Sequence, residues 1–491
     1  MSHKYIDIPP DAPMLIESTR SIGYTLEAAI ADIIDNSISA EARKIEISYF
    51  PIGKPYIAIF DNGIGMTAEK LTEAMRFGSS NPNNVRDSND LGRFGLGMKT
   101  ASLSQCQCLT VISKQKDNIS ARQWDLNHIK ETSKWSLKCL NDKELLKLPF
   151  YKELQTQTSG TIVIWEDLDR VFIGGIDESV MTSKMNTVCD HLALVFHRYL
   201  KGGDVQNKIK ILMNNVEIEG FDPFFTSKSR LPMAEERIEL PEYNSTVIVQ
   251  PFTLPHHSKM NQKEIDKYGL RNMQGFYVYR NKRLLKWGTW FRLAKMEELS
   301  KLARVRIDIP NTLDELWSLD VKKSAATPPE IIKIRLRQII DNIIQSSKHT
   351  YTFRSKRDIR QDNDIVHIWD VQETREGTKY KLNKQHPLYE KLTEMIDDDT
   401  KKVLDGYIFS IAESFPIKIL QIDISNETRI IKEDQDTEFS NIKENIDILL
   451  RPAETNTDRR IIIERLITSE PFCNYVKKIR EIYGVNENED T

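Results

Sequence analysis

Leu26-Glu-Ala-Ala-Ile-Ala-Asp32-Ile-Ile-Asp35-Asn36-Ser37 opens the stretch that decides the fold, and Tyr56-Ile-Ala-Ile-Phe60-Asp61-Asn-Gly63-Ile-Gly65-Met66 and Gly92-Arg93-Phe94-Gly95-Leu96-Gly97-Met98-Lys99-Thr100 complete it. In the first piece Leu26, Ala29, Ile30, Ile33 and Ile34 recur at three- and four-residue spacing, which predicts an amphipathic helix. Asp32 and Asn36 are four apart, so a carboxylate and an amide stand on one side of that helix. The second piece reads as a short buried strand that delivers Asp61 to its end, followed by glycines that permit a tight turn and close approach of a ligand to the backbone. A polar segment from Ser79 to Asp90 then leads into a glycine-rich helix start. There, unbonded backbone N–H groups and the positive end of the helix dipole suit a phosphate, with Lys99 adding charge. Further on, Ser159-Gly160-Thr161-Ile-Val-Ile-Trp165 predicts a turn into a strand that closes the sheet.

Two other glycine motifs are excluded. A phosphate-loop NTPase needs Gly and Lys adjacent after a buried strand, whereas Met98 separates Gly97 from Lys99 and polar residues precede them. Dinucleotide binding fails because no strand feeds the glycines.

The order and content of the four pieces resemble the GHKL ATPase superfamily, which includes gyrase B, MutL, the large heat-shock chaperone ATPases, sensor histidine kinases and the MORC ATPases. The resemblance covers about the first 170 residues and implies bound ATP and Mg2+. It implies that Asn36 holds the Mg2+, that Asp61 receives the adenine amino group, and that Thr161 lies at the adenine pocket. It also places Gly63, Gly65 and Met66 of the turn, and Gly92, Arg93, Phe94, Gly95, Leu96, Gly97, Met98 and Lys99 of a phosphate lid, around the nucleotide. The family usually has glutamate as the general base four residues before the asparagine, and this chain has Asp32. A carboxylate one methylene shorter implies slow hydrolysis.

At 491 residues the chain holds two to four domains at roughly 100–200 residues each. Charged residues are 29% and the net charge is −3, so no global field advertises nucleic acid. Five scattered cysteines without zinc or disulfide spacing suggest reduced core thiols. No stretch reads as an export signal or a membrane span, and the expected location is cytoplasmic.

Pro9, Pro10 and Pro13 predict a mostly extended N-terminal arm to about residue 22. Strands are expected at Cys108–Ser113 and around Trp124 and Trp135, and a helix from Met181 to Leu200 should end the nucleotide domain. Lys208–Ile218 reads as a hairpin opening a second domain, and Gly275–Leu285 as two strands around an Arg-Asn-Lys turn. The latter resembles the transducer domain of MORC and MutL proteins, and of the GHKL relatives the prokaryotic MORC-like ATPases fit best. By that resemblance Lys323, or its neighbour Lys322, reaches the terminal phosphate. A helix follows Pro328-Pro329, with Ile331, Ile334, Leu336, Ile339 and Ile340 on it.

Basic runs at Lys301–Arg306, Lys333–Arg337 and Arg354–Arg360 are candidates for a DNA-facing groove. The last third shows no nuclease, protease or metal constellation and reads as an interaction module.

The expected fold is thus α+β: a GHKL (Bergerat-type) α/β sandwich over 1–200, a transducer-like α/β domain over 201–350, and a mainly helical region over 351–491. The expected function is an ATP-driven, nucleotide-dependent homodimer switch linked to DNA or to defence against foreign DNA. A non-hydrolysing module that remodels a protein partner is the alternative. A histidine kinase and a topoisomerase subunit are disfavoured, because few residues precede the first motif and no acidic cleavage domain has room.

Overall fold

The computed structural model describes residues 10–21, 23–78, 97–172, 177–200, 208–231, 233–256, 259–269, 272–297, 300–317, 327–344, 365–374, 377–417, 435–453 and 455–485. The chain divides into two units, Met1–Tyr351 and Thr352–Thr491.

Unit one is built on an eight-stranded sheet of order β5-β4-β3-β6-β2-β1-β7-β8. Its strands are β1 (Lys44–Phe50), β2 (Tyr56–Asp61), β3 (Cys108–Gln115), β4 (Asn118–Asp125), β5 (Lys138–Cys139), β6 (Ser159–Glu166), β7 (Lys210–Met213) and β8 (Val216–Glu217). The centre is apolar on both faces, which is why β2 reads as an unbroken hydrophobic run. Ile57 and Ile59 enter one core with Val163 and Trp165, while Ala58 and Phe60 enter another with Ile162 and Ile164. Helix α2 (Leu26–Ser39) and the helix Glu178–Val195 cover the first face, and their apolar residues share its core.

Three expectations are corrected in this unit. The arm is not extended throughout, because Ala12–Arg20 forms helix α1, with Asp11 capping the Met14 amide at 2.9 Å. Pro13 lies in its first turn, where the missing N–H would have had no helical partner. Arg20 then anchors α1 through Nε to the Leu103 carbonyl at 2.7 Å and through Nη2 to Asp169 at 2.6 Å. The hairpin at 208–218 does not open a second sheet: β7 pairs parallel with β1, burying Ile211 and Met213 in the first core. Trp135 lies ahead of the short strand β5 and stacks edge-on to Trp124 at 6.1 Å.

A second sheet has the order β12-β11-β13-β10-β9, from β9 (Glu236–Leu240), β10 (Ser245–Thr253), β11 (Gly275–Arg280), β12 (Arg283–Thr289) and β13 (Ala303–Ile309). Strands β11 and β12 join at Asn281 and Lys282, both with positive φ (47° and 68°), the conformation of a tight hairpin turn. Alternation sorts β11 between two cores. Phe276 and Val278 pack with a helix over 330–344, and Tyr277 and Tyr279 join the core of the first sheet. That helix buries Ile332, Leu336, Ile339, Ile340 and Ile343 and leaves Ile331 and Ile334 exposed. Isoleucines stand on more than one side of this helix, so periodicity alone does not choose its buried face.

Unit two contains the hairpin β14 (Trp369–Thr374) and β15 (Gly377–Leu382) with helices that close a small core around Ile446, Ile463, Phe472 and Ile479. The helix Asp398–Glu413 buries none of its residues. Among the described residues no helix is long and apolar enough to cross a membrane.

Candidate functional site

Helix α2 is where the site begins. Thr25 caps it, and from Ala29 to Ser37 every residue is buried except Asn36. The buried polar groups around it each have a partner, as burial requires. Asp32 Oδ2 accepts from the Tyr24 hydroxyl at 3.0 Å, Asp35 pairs with Arg283 Nε at 3.0 Å, and the Ser37 hydroxyl donates to Asp61 Oδ2 at 2.9 Å.

Asp61 ends β2 opposite Thr161 of β6 and is 6% exposed. Its second oxygen accepts the Gly63 amide at 2.9 Å. Burial pushes this carboxyl up to about 6, against the opposing pull of the Gly63, Ser37 and Thr161 donors. A carboxylate so placed is an acceptor waiting for a further donor.

The turn after Asp61 admits only glycine at two points. A Cβ on Gly63 would lie 2.6 Å from the Ala40 carbonyl oxygen, and one on Gly65, at φ 65°, would lie 1.9 Å from that of Lys114. The Met66 amide donates to Ser113 Oγ at 2.8 Å, and Ser113 Oγ lies 2.9 Å from Thr161 Oγ1. The turn is thereby fastened to β3 and β6 behind the strand end.

Helix α4 (Gly97–Leu103) packs on α2. A Cβ on Gly97 would stand 3.7 Å from Asp32 Oδ2, so backbone and carboxylate face each other with no side chain between. Met98 packs partly buried against the first core. Lys99 is turned elsewhere: it is 1% exposed, and its Nζ donates to the Ala74 carbonyl at 2.8 Å, near the end of helix α3 (Ala68–Met75). Desolvation lowers its ammonium to about 8, opposed by Glu73. Gly92, Arg93, Phe94, Gly95 and Leu96, and Lys322 with Lys323, lie outside the described residues.

The structure thus sets Gly97 against Asp32 and brings Asp61, Gly63, Gly65, Met66 and Thr161 together at the end of β2, where Ser37 joins Asp61 to α2 and the neighbouring Asn36 is exposed. Tyr24, Ser37 and Ser113 support these residues and were not identified from sequence. The signal for Ser113 was its strand register opposite Thr161; the others carry no local signal.

The donor set fits a magnesium nucleotide. Asn36, exposed on α2, is the residue that could offer Mg2+ a side-chain oxygen, an ion that takes few protein ligands when phosphates and water supply the rest. The buried Asp61 acceptor suits an exocyclic amine.

The basic runs at 301–306 and 333–337 are largely engaged within the protein, and Arg354–Arg360 lies outside the described residues. Arg304 is buried, Arg306 pairs with Glu235 and Asp308, Arg335 pairs with Glu236, and Lys333 and Arg337 pair with Glu330.

Residues 24–161 match the family described as histidine kinase-, DNA gyrase B-, and HSP90-like ATPase. The chain is 30% identical over 95 residues to ATPase morc-1 of Caenorhabditis elegans, covering 19% of this chain and 11% of that protein. It is 31% identical over 145 residues to the structural maintenance of chromosomes flexible hinge domain-containing protein 1 of Homo sapiens, covering 23% and 7%. It is 29% identical over 93 residues to DNA mismatch repair protein MutL of Fervidobacterium nodosum, covering 18% and 16%. The chain spans only 7 to 16% of the length of these relatives. With the strand-end aspartate, the α2 asparagine and the glycine turn in place, this chain carries a GHKL-type ATPase domain over residues 24–161, with similarity to MORC and MutL proteins.

Proposed function

We propose that the crevice between α2 and the Asp61–Met66 turn binds Mg-ATP and hydrolyses it slowly, and that nucleotide occupancy works a switch. The observation that carries this reading is the buried Asp61, placed at a strand end beside the exposed Asn36. Asp61 accepts the adenine amino group, with Ser37 and Gly63 holding its carboxylate in place. Asn36 is the residue that would hold Mg2+, which when bound neutralises phosphate charge. Asp32 is the general base for the attacking water, steadied by Tyr24. The glycine segment 92–97 closes over the phosphates, and Lys323 or Lys322 supplies a cation at the terminal one.

On this reading residues 1–200, completed by β7 and β8, are the nucleotide domain, the remainder of 201–350 a transducer and 351–491 an interaction region. ATP-dependent homodimerisation is the output, in the cytoplasm. A DNA transaction, such as defence against foreign DNA, is the favoured setting, supported by the names of the MutL and chromosome-maintenance relatives. With Arg306, Lys333, Arg335 and Arg337 held in ion pairs, DNA contact would draw on other basic residues, the 354–360 run among the candidates.

Phosphate release and calorimetric Mg-ATP binding should be measured on the wild type, Asp32→Asn, Asp32→Glu and Asn36→Ala. Lost turnover with retained binding in Asp32→Asn supports the enzyme, and equal turnover removes Asp32 as base. A second reading is a non-hydrolysing module in which ATP stabilises an assembly with a protein partner. It is favoured by the shorter aspartate and its engagement with Tyr24.

A further inference from the structure

The residue next to Asn36 ties α2 to a different sheet. Asp35 is 0% exposed and Arg283, the first residue of β12, 5%. Arg283 Nε lies 3.0 Å from the Asp35 carboxylate, its Nη1 donates to the Leu284 carbonyl at 2.9 Å, and its guanidinium sits 5.5 Å from the Phe196 ring centre. The hairpin turn that carries it is held on its other sides too. Arg280 forks onto Asp314 at 2.7 and 2.8 Å, and the Tyr199 hydroxyl donates to the Asn281 carbonyl. At the end of the helix Glu178–Val195, His197 Nε2 lies 2.8 Å from the Tyr279 hydroxyl and Arg198 pairs with Asp308, so that helix also grips β11 and β13.

We propose that Asp35–Arg283 is the positioning pair that couples the nucleotide crevice to the second sheet, so that α2 and the β11–β12 hairpin move as one body. The inference rests on the ATP reading of the crevice. The physical reason is that a buried ion pair resists separation: parting its members draws opposite charges apart in a place shut off from water. Ordinary apolar contacts between α2 and the second sheet would let one slide over the other, whereas this pair does not stretch. A shift of α2 on gripping a nucleotide at Asn36 is therefore handed to the hairpin within one residue. The grip of Arg198 and His197 at the far side supplies the point about which the sheet turns.

The test uses the full chain, a non-hydrolysable ATP analogue with Mg2+, and the neutral double variant Asp35→Asn/Arg283→Gln, which keeps the shapes and an amide hydrogen bond but removes both charges. Calorimetry gives the analogue Kd, and amide hydrogen exchange is followed over 26–39 and 275–289 with and without analogue. In the wild type the analogue slows exchange over both segments by about fivefold or more. In the double variant Kd stays within about threefold and the slowing over 26–39 persists, while the slowing over 275–289 falls below about twofold. Full slowing over 275–289 in the double variant, or wild-type slowing confined to 26–39, overturns the coupling but leaves the ATP reading standing. A wild type that binds no analogue overturns both. Should the double variant not fold, Arg283→Lys keeps the charge and gives up the planar fork. The slowing over 275–289 then drops at least about twofold at unchanged Kd if the pair transmits, and undiminished slowing overturns the proposal.

Discussion

The Tyr24 hydroxyl and the Asp32 carboxylate, 3.0 Å apart and both buried, form the support of the proposed base. Tyr24 precedes α2 and reaches across to its second turn, so the orientation of Asp32 depends on a residue outside the helix. Removing the hydroxyl in Tyr24→Phe should lower steady-state phosphate release by about tenfold, the loss of one orienting hydrogen bond. ATP affinity by calorimetry should be unchanged. A parallel loss of affinity would mean that Tyr24 shapes the pocket instead.

Asp61 gives a pH signature. Its folded carboxyl titrates at about 6, above its ordinary value of 3.8. The ligand-free fold therefore holds more protons than the unfolded chain between these values. The sign follows: this group's contribution to stability is full below pH 3.8 and is lost as pH rises through 6, by about 3 kcal/mol in all. A donor from adenine needs the ionised form, so affinity for adenosine diphosphate should fall about fivefold from pH 6 to pH 5. Asp61→Asn should bind weakly and without that dependence, as read by titration calorimetry across the range.

Gly65→Ala should fail for a steric reason. The added carbon would meet the Lys114 carbonyl oxygen at 1.9 Å in a backbone conformation that side chains disfavour. A loss of about 3 kcal/mol or more is expected in urea unfolding, with nucleotide binding lost even where the variant stays folded.

Lys99→Met should stabilise the ligand-free protein. The ammonium is held at about 8 against an ordinary 10.5, so the folded state binds fewer protons than the unfolded chain between these values. Wild-type stability accordingly climbs with pH through that window. The deficit below pH 8 is about 3 kcal/mol, part of which is offset by the bond to Ala74. The variant should gain about 1 to 2 kcal/mol at pH 7, and the gain should disappear above about pH 10. Chemical denaturation at two pH values reads it, and unchanged ATP affinity keeps Lys99 outside the nucleotide site.

What the sequence made legible is what chemistry demands at short range. Asp32 and Asn36 are one helical turn apart, Asp61 ends an apolar run, and Gly63 and Gly65 stand where a Cβ would collide. The partners that support the site come from far along the chain, with Ser37 and Asp61 24 residues apart and Met66 and Ser113 47, and the pair that ties α2 to the second sheet, Asp35 and Arg283, is 248 apart. No periodicity records such pairings, since each is set by strand register or by packing between sheets. Pro13 misled because proline both extends a chain and begins a helix, and only the Asp11 cap separates the two outcomes. Lys99 looked like a phosphate ligand for its spacing from the glycines, and the end of α3 claimed it instead.

The parallel pairing of Lys44 with Lys210 has a consequence for how this protein is made. The two positions differ by 166 residues (210 − 44), so at about 5 to 20 residues per second the ribosome takes roughly 10 to 30 s to deliver the second after the first. Through that interval the nascent chain shows an open strand border, the kind of surface that recruits chaperones or stray neighbours. A recombinant fragment stopped at residue 200 would carry the same bare border permanently and should precipitate, whereas one extended past Ile218 should remain in solution.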